Sequence, residues 1–404
     1  MKKFKHFLTE GRYTKNLHIE HLEDLVLSQG LAGSKIAINF LNSFKNAILG
    51  EDSNIHVGIK YDGSPSVIAG INPENGKFFV GTKSVFNKNT PKVNYTVEDI
   101  NRNHPSRNLN MKLKLALEHL SKLNIEGVIQ GDLLYTKKNL KVEFINNQSF
   151  ITFCSNTLTY GVPVGSDLGK RIQESQMGVI FHTRYLGETL STMNANINID
   201  ISELQETKEV WYENSNYRGK LDNFSEEAIN ELSDILKESD EIIQNLDVQA
   251  IDKLSKNQKL KRVIRTFHNN KIKEGRQIPD SSVYVNELIE YVENKFTRES
   301  HLLNTQEGRV KKLSIGEYYI TNFFKNKDQL RSIFKVQELF VRAKNILLNN
   351  LDEDNRIKTF VEGSQGLEAT SGEGFVCVNE SGDVIKLINR SVFSYLNFNI
   401  PKNW

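Results

Sequence analysis

Short runs of alternating apolar residues fill the chain from 55 to 183, stop, and return only at 374–388. Between about 224 and 351 the apolar residues recur instead with the period of helices. Side chains alternate across a strand with period 2 and return to one face of a helix every 3.6 residues, so the two patterns cannot share an element. A chain arranged this way has to build a β-structure whose last strands arrive after a helical excursion. Strands are predicted at 55–61, 66–71, 77–82, 127–134, 151–153, 157–164 and 178–183, with one helix among them at about 110–123, and again at 374–378 and 384–388. Turn residues such as Asn72-Pro73-Glu74-Asn75-Gly76 separate some of them. Helices are predicted at 226–244, 248–269, 282–297, 315–324 and 327–349, the first started by Ser225 before Glu226 and Glu227. Residues 19–49 read as a further helix, with Leu22, Leu25, Phe44 and Ile48 among its core contacts. The expected class is α+β, divided as an N-terminal helical segment (1–49), the first part of a β-rich core (50–215), a helical insertion (216–360) and the last core strands (361–404).

The 404 residues suffice for two or three domains with cores of their own. A net charge of +2 names no partner, so any basic surface has to be local. Cys154 and Cys377 lie far apart in strand-like runs and fit no metal or disulfide framework; buried, reduced thiols are expected. No apolar run reaches transmembrane length and no secretory signal is visible, so no membrane partner and a cytosolic type of protein are expected.

One strand carries unusual chemistry. In Val57-Gly58-Ile59-Lys60-Tyr61-Asp62-Gly63, alternation sets Gly58, Lys60 and Asp62 on one face. A lysine beside a glycine has room around it for a ligand; the plainer alternative is a solvated edge with an Asp–Lys pair. Further along stand Gly81-Thr82-Lys83-Ser84, Gln130-Gly131-Asp132-Leu133, Leu158-Thr159-Tyr160-Gly161-Val162, Glu373-Gly374-Phe375-Val376 and Lys386-Leu387.

In that order these stretches resemble the motifs of the covalent nucleotidyltransferases, the ATP-dependent RNA and DNA ligases and the mRNA capping enzymes. The resemblance covers roughly 50–185 and 370–390. It implies a nucleotidyltransferase (ATP-grasp-like ligase adenylation) core of antiparallel sheets carrying the all-helical insertion. It implies that Lys60 takes the nucleotide as a covalent lysyl-AMP, that Asp62 and Gly63 shape the turn at the nucleotide, and that Lys83 and Lys386 neutralise phosphate charge. Asp132, where the family usually has Glu, would contact the ribose; Tyr160, with Phe153 as second choice, would stack on the base. Glu373 would hold Mg²⁺, and ATP would be the co-substrate. Many relatives carry a second lysine two residues after the last motif lysine; here Ile388 stands there, with Arg390 as a stand-in. Fourteen residues follow Arg390, too few for the β-barrel domain of DNA ligases and capping enzymes, so an RNA ligase with a helical accessory domain is the expected relative.

A lysine with an ordinary pKa of about 10.4 is a poor nucleophile at neutral pH. The chemistry expects burial and nearby positive charge to leave Lys60 as a neutral amine. The insert has a cation-rich stretch at 253–276, in which Lys261, Arg262 and Arg265 fall within about one helical turn. These three are the candidate contacts for a nucleic-acid backbone, RNA before DNA; a solvated helix face is the alternative. The start, MKKFKHFLTE, resembles the capsid-targeting peptides of large tailed phages, which end in Leu-x-Glu, here Leu8-Thr9-Glu10; an ordinary first helix is the alternative. The whole chain looks like an uncharacterised RNA-ligase-like family of those phages. Host cytoplasm, or packaging in the virion with capsid association, follows from that resemblance. Transfer of the nucleotide to a protein or small-molecule acceptor, and a non-catalytic capsid-associated protein that keeps the fold, are the alternative functions.

Overall fold

The computed structural model describes residues 19–399 apart from 52–53, 198, 222, 277–280, 352–355 and 364–365. The segment MKKFKHFLTE lies outside the described residues. A short 3-10 turn (Leu22–Asp24) leads into α1 (Leu25–Ile48). Then follow β1 (His56–Lys60), β2 (Ser66–Ile71), β3 (Phe78–Gly81), α2 (Val97–Asn103), α3 (Arg107–Leu120), β4 (Val128–Thr136), β5 (Lys141–Ile145), β6 (Gln148–Cys154), β7 (Thr159–Pro163), α4 (Asp167–Glu174), β8 (Met177–Leu186), β9 (Asn194–Asn196) and β10 (Val210–Asn214). The helical block is α5 (Glu226–Gln244), α6 (Val248–Lys256), α7 (Gln258–Lys273), α8 (Ser281–His301), α9 (Gln306–Lys325) and α10 (Lys327–Asn350). The chain ends in β11 (Lys358–Gly363), β12 (Gly366–Ala369), β13 (Gly374–Val378), β14 (Val384–Ile388) and α11 (Tyr395–Asn399).

This is a mixed α+β structure with three sheets, ordered β1-β13-β14, β10-β8-β4-β2-β3 with β9 beside β8, and β12-β11-β7-β6-β5. Pairing is antiparallel except between β10 and β8, which run parallel. The late strands enter two sheets: β13 pairs with β1, and β11 with β7. β5, β10, β11 and β12 were not expected. β5, an edge strand, leaves Val142 and Phe144 largely exposed, so its side chains do not follow the core-in, water-out rule on which the sequence pattern relies.

Several helices differ from expectation: α2, α4 and α11 were not expected, and α9 starts at Gln306 rather than at 315. The 248–269 helix is two, α6 and α7, broken at Asn257, whose side chain accepts from the Lys259 and Leu260 N–H groups and caps α7. α1 is kinked at Gly30 (φ 62°, ψ −137°), where α6 comes close. α1 is also no separate segment. Phe40 and Phe44 share one core with Leu232 and Ile235 of α5, Ile251 of α6 and Phe340 of α10, and with Val57, Cys377, Ile385 and Leu387 on the underside of the β1-β13-β14 sheet. Cys377 is buried as expected, but Cys154, the last residue of β6, is exposed.

A buried ion cluster fastens the helices to the sheet. Lys344 of α10 reaches Glu23 at 2.6 Å, and Arg390, just past β14, lies 3.2 Å from Asp24 and 3.6 Å from Glu23. Burial alone would raise the Glu23 carboxyl, but Lys344, His21 and Arg390 together bring it down to about 2. Burial draws the Lys344 amine down although Glu23 opposes it. The two shifts differ because Glu23 faces two cations while Lys344 is repelled by Arg390; the close contact keeps the pair ionised. Burial also holds His21 neutral, down to about 4, and His268, packed between Tyr284 and Phe334, down to about 3.

These groups set an acid limit. The unfolded chain protonates its imidazoles near about 6.5 while the folded chain refuses protons there, so stability falls as pH drops below about 6.5. Glu23 acts in the same sense lower down: its contribution, present above the ordinary 4.5, is lost as pH falls toward 2. His268→Phe is expected to remove about 2 kcal/mol of the stability lost between pH 7 and pH 4, measured by thermal unfolding at the two pH values. Identical pH dependence in variant and parent would sink this account.

Candidate functional site

Register assembles the site. β1 and β13 pair so that Lys60 is opposite Gly374 and Gly58 opposite Val376; β13 and β14 pair so that Val376 is opposite Lys386. Gly58, Val376 and Lys386 therefore form one row, and all line a cleft on the side of the sheet away from the helices. Glu373, one residue before β13, is buried and places Oε1 2.6 Å from Lys60 Nζ. Gly374 has φ +133°, and a Cβ there would lie 2.2 Å from the Leu387 carbonyl oxygen, so only glycine lets β14 pair this closely behind Glu373.

The other wall is the β8-β4-β2 sheet. Asp132 on β4 faces the cleft, with His182 Nε2 of β8 3.5 Å from its Oδ1; the ring's Nδ1 is 2.8 Å from Thr183 Oγ1. Lys83 enters from the start of the turn after β3, where Thr82 caps the Ser84 N–H. Deeper in, Ile180, Tyr185, Ala195 and Ile197 make an apolar end, and Tyr185 donates to Gln130 Oε1 at 2.5 Å. The space between these walls, open solvent included, is about 840 Å³.

The charges are unevenly shared. Burial would lower the Lys60 amine, but Glu373, Asp132 and Asp62 outweigh it and raise it above the ordinary lysine value. The expected neutral amine is thus not what the structure shows: three carboxylates surround one ammonium. The same surplus explains Glu373, which burial, helped by Asp62 and Asp132, lifts to about 7 despite Lys60. The depressed amine is instead Lys386, lowered by burial, then by Lys60, with Lys83 adding to it. Asp132 would rise by burial, but His182 and Lys60 hold it below the usual carboxylate value. Glu373 Oε2 is buried without a hydrogen-bond partner. Among the described residues no three His, Cys, Asp or Glu side chains cluster to hold a metal, and Glu373 itself lies behind the cleft lining, in contact with it through Lys60.

Asp62 and Gly63 shape the turn after Lys60, and Tyr160, expected to stack on a base, supports it from behind. Asp62 is buried and does not line the cleft; it accepts from the Thr157 and Leu158 N–H groups at 2.6 and 2.9 Å and from Asn156 Nδ2 at 2.6 Å, tying the β1–β2 turn to the β6–β7 turn. Gly63 passes so close to β4 that a Cβ would sit 2.7 Å from Asp132 Cβ. Tyr160 is 2 % exposed, packs against Tyr61 and Phe153, and accepts from the Asp62 N–H at 2.6 Å. It lies behind the turn and cannot stack on a ligand in the cleft, and Phe153 is buried with it. The rings that line the cleft are Tyr61, just past β1, and His182 and Tyr185 of β8. The expected strand 178–183 took in His182 but stopped short of Tyr185; antiparallel pairing with β4 puts His182 beside Asp132 and Tyr185 beside Gln130.

The basic stretch of the insert divides as well. Lys261 donates to the Ser28 carbonyl at 2.9 Å, Arg265 pairs with Glu20 at 3.4 Å, and Arg262 alone is left on the far side of α7. Arg390 is no stand-in for a second site lysine: it is turned into the ion cluster with Asp24. Among the described residues no helix is long and apolar enough to cross a membrane.

A family model matches residues 16–402, from before α1 to beyond α11. The chain belongs to this family, a family of unknown function (DUF6267). No curated protein and no solved structure matches the chain. The DUF6267 match takes in all three sheets and the helical block alike.

The turn carrying Lys60 is expected to depend on the groups beneath it. Tyr160→Phe leaves the buried Asp62 N–H without its acceptor and should cost about 1–3 kcal/mol; Gly63→Ala should cost a similar amount, about 1–3 kcal/mol, by overpacking. Urea unfolding reads both. If neither changes the midpoint, the turn is not held as described.

Proposed function

We propose that this protein is an ATP-dependent nucleotidyltransferase of the RNA-ligase type, built on a nucleotidyltransferase core, that forms a covalent lysyl-AMP at Lys60 and passes the AMP to the 5′-phosphate of a nucleic acid. The observation that carries the reading is the convergence of Lys60 and Lys386, from opposite ends of the sequence, with Lys83 and Asp132, on one cleft with an apolar end, Glu373 pairing with Lys60 from behind. An amine flanked by a base and by further cations suits attack on a phosphorus. An apolar end beside an acid suits a base and its ribose.

In this reading Lys60 has to shed a proton that Glu373, Asp132 and Asp62 hold on it above the ordinary lysine value, and Glu373, 2.6 Å away and itself raised to about 7, is the acceptor in reach. The freed Nζ lone pair attacks the α-phosphorus of ATP. The P–N bond forms as the bond to the bridging oxygen breaks, and pyrophosphate leaves with that electron pair. Lys386 and Lys83 face the charge on the phosphate oxygens, and a polyanion there offsets the burial and the repulsion, from Lys60 first and then Lys83, that lower Lys386. Asp132, held ionised by His182, accepts a ribose hydroxyl. Mg²⁺, bound at Glu373 Oε2 and otherwise by phosphate and water oxygens, would supply charge neutralisation at the phosphates.

The test is incubation with α-labelled ATP and Mg²⁺, denaturation, and a search for acid-labile label on the chain. Lys60→Ala is expected to abolish the label, and Lys386→Ala to reduce its rate by about a hundredfold or more. Added RNA bearing a 5′-phosphate should take the label from the protein. Label that survives Lys60→Ala, or no label with any nucleoside triphosphate, overturns the reading.

A further inference from the structure

The cations of 253–276 fall into two groups. Those facing away from the α7–α9 side are already neutralised: Lys256 pairs with Asp252, Arg265 with Glu20, and Lys271 and Arg276 with Glu287. Of the others, Lys261 is bound to the Ser28 carbonyl, while Lys253, Lys259 and Arg262 open into a groove. Lys259 and Arg262 of α7, Lys295 of α8 and Tyr318 of α9 line one half of it. Lys253 of α6 and Lys325 of α9 line the other, and Asn257 and Tyr318 belong to both halves, so the two are continuous. None of the residues lining either half is acidic. None of these five cations has a carboxylate within 4.0 Å among the described residues. Lys312, outside the groove on the same helix as Tyr318, is paired with Glu299 at 2.6 Å.

At the junction stands an aromatic platform. Tyr318 is 50 % exposed, yet its ring is backed by Tyr319 at 5.6 Å, which in turn packs on Phe296 at 5.4 Å. Asn257 Nδ2 donates to the Tyr318 hydroxyl at 3.5 Å, so the ring is held at both ends. Large exposed rings held in place beside unpaired cations are the combination that binds a single strand: phosphates meet the cations and a base stacks on the ring.

We propose that the groove between α6, α7, α8 and α9 binds single-stranded nucleic acid, with Lys253, Lys259, Arg262, Lys295 and Lys325 along the backbone and one base on Tyr318. Treating that strand as the acceptor of AMP rests on the transferase reading; the groove itself does not. Neutral polar groups, Thr266, Ser314 and Asn322, fill the remaining lining, which favours backbone contact over reading of sequence.

The experiment is fluorescence anisotropy of the full chain with a fluorescein-labelled single-stranded RNA, its DNA counterpart and a blunt duplex, without ATP, across a salt series. Binding is thus read apart from any labelling of Lys60. The single strands are expected to bind more tightly than the duplex. The double variant R262A/K295A should weaken binding and flatten the plot of log affinity against log salt by about 0.7 per cation removed. Tyr318→Ala should weaken binding about tenfold or more with the salt slope kept, and Tyr318→Phe should restore most of it. Lys256→Ala, outside the groove, serves as the charge control and should leave the slope alone. Circular dichroism confirms that each variant is folded. Preference for the duplex, no binding, or an unchanged affinity and slope in folded R262A/K295A would each overturn the proposal.

Discussion

The antiparallel ladder between β1 and β13 governs the rest of the molecule. It joins the start and the end of the chain beside the cleft, and it fixes two things at once. One face of the ladder, Val57 and Cys377 with Ile385 beyond, is sealed against α1 and the helical block. The other, Gly58 and Val376 with Lys386 beyond, is open to the cleft. A slip of one residue would exchange the faces and turn Lys386 and Lys60 into a hydrophobic core. The apolar underside therefore pins the register, and the register puts Lys60 beside Glu373. Packing on the helical side decides the chemistry on the other.

The electrostatics follow from the same crowding. Two sheets deliver carboxylates toward one lysine, so the proton on Lys60 is held tightly and Glu373 is reluctant to ionise. Lys386 is lowered in turn by burial and by the charge of Lys60, with Lys83 adding to it. Three lysines on one cleft suit a polyanion whose arrival relieves their repulsion. The supports lie under the floor: Asp62, with its backbone and Asn156 donors, and Tyr160 fix the turn after Lys60 from behind.

The helical block is fastened to this core through charge as well as apolar contact. The Glu23–Lys344 pair and Arg390 join three separate stretches of chain out of reach of water. Such a cluster is costly to bury and costly to break, because removing one partner leaves the others uncompensated. It holds α10 and the last turn after β14 in one position, and α7 reaches the edge of the cleft through Glu20, which contacts Arg265 by its side chain and Lys386 by its carbonyl. The groove on the opposite side of α7 thus belongs to a helix tied to the edge of the cleft through Glu20.

The alternation in the sequence announced the strands 66–71, 374–378 and 384–388 and the helix 226–244 with their observed limits, because each buries a regular face and so shows its period. Lys60, Lys83, Asp132, Glu373 and Lys386 were also legible, since short motifs travel with their local strand or turn. Other assignments could not be read along the chain. Tyr160 and Tyr185 both sit on strands as aromatic residues; only sheet pairing sets one behind the turn and the other in the cleft. Lys261, Arg262 and Arg265 are neighbours on one helix, but partners distant in sequence, Ser28 and Glu20, engage two of them and leave the third. The protonation of Lys60 likewise depends on carboxylates from three separate strand ends. Period and residue type are local and survive in the sequence; charge balance and exposure are sums over neighbours that only the folded chain brings together.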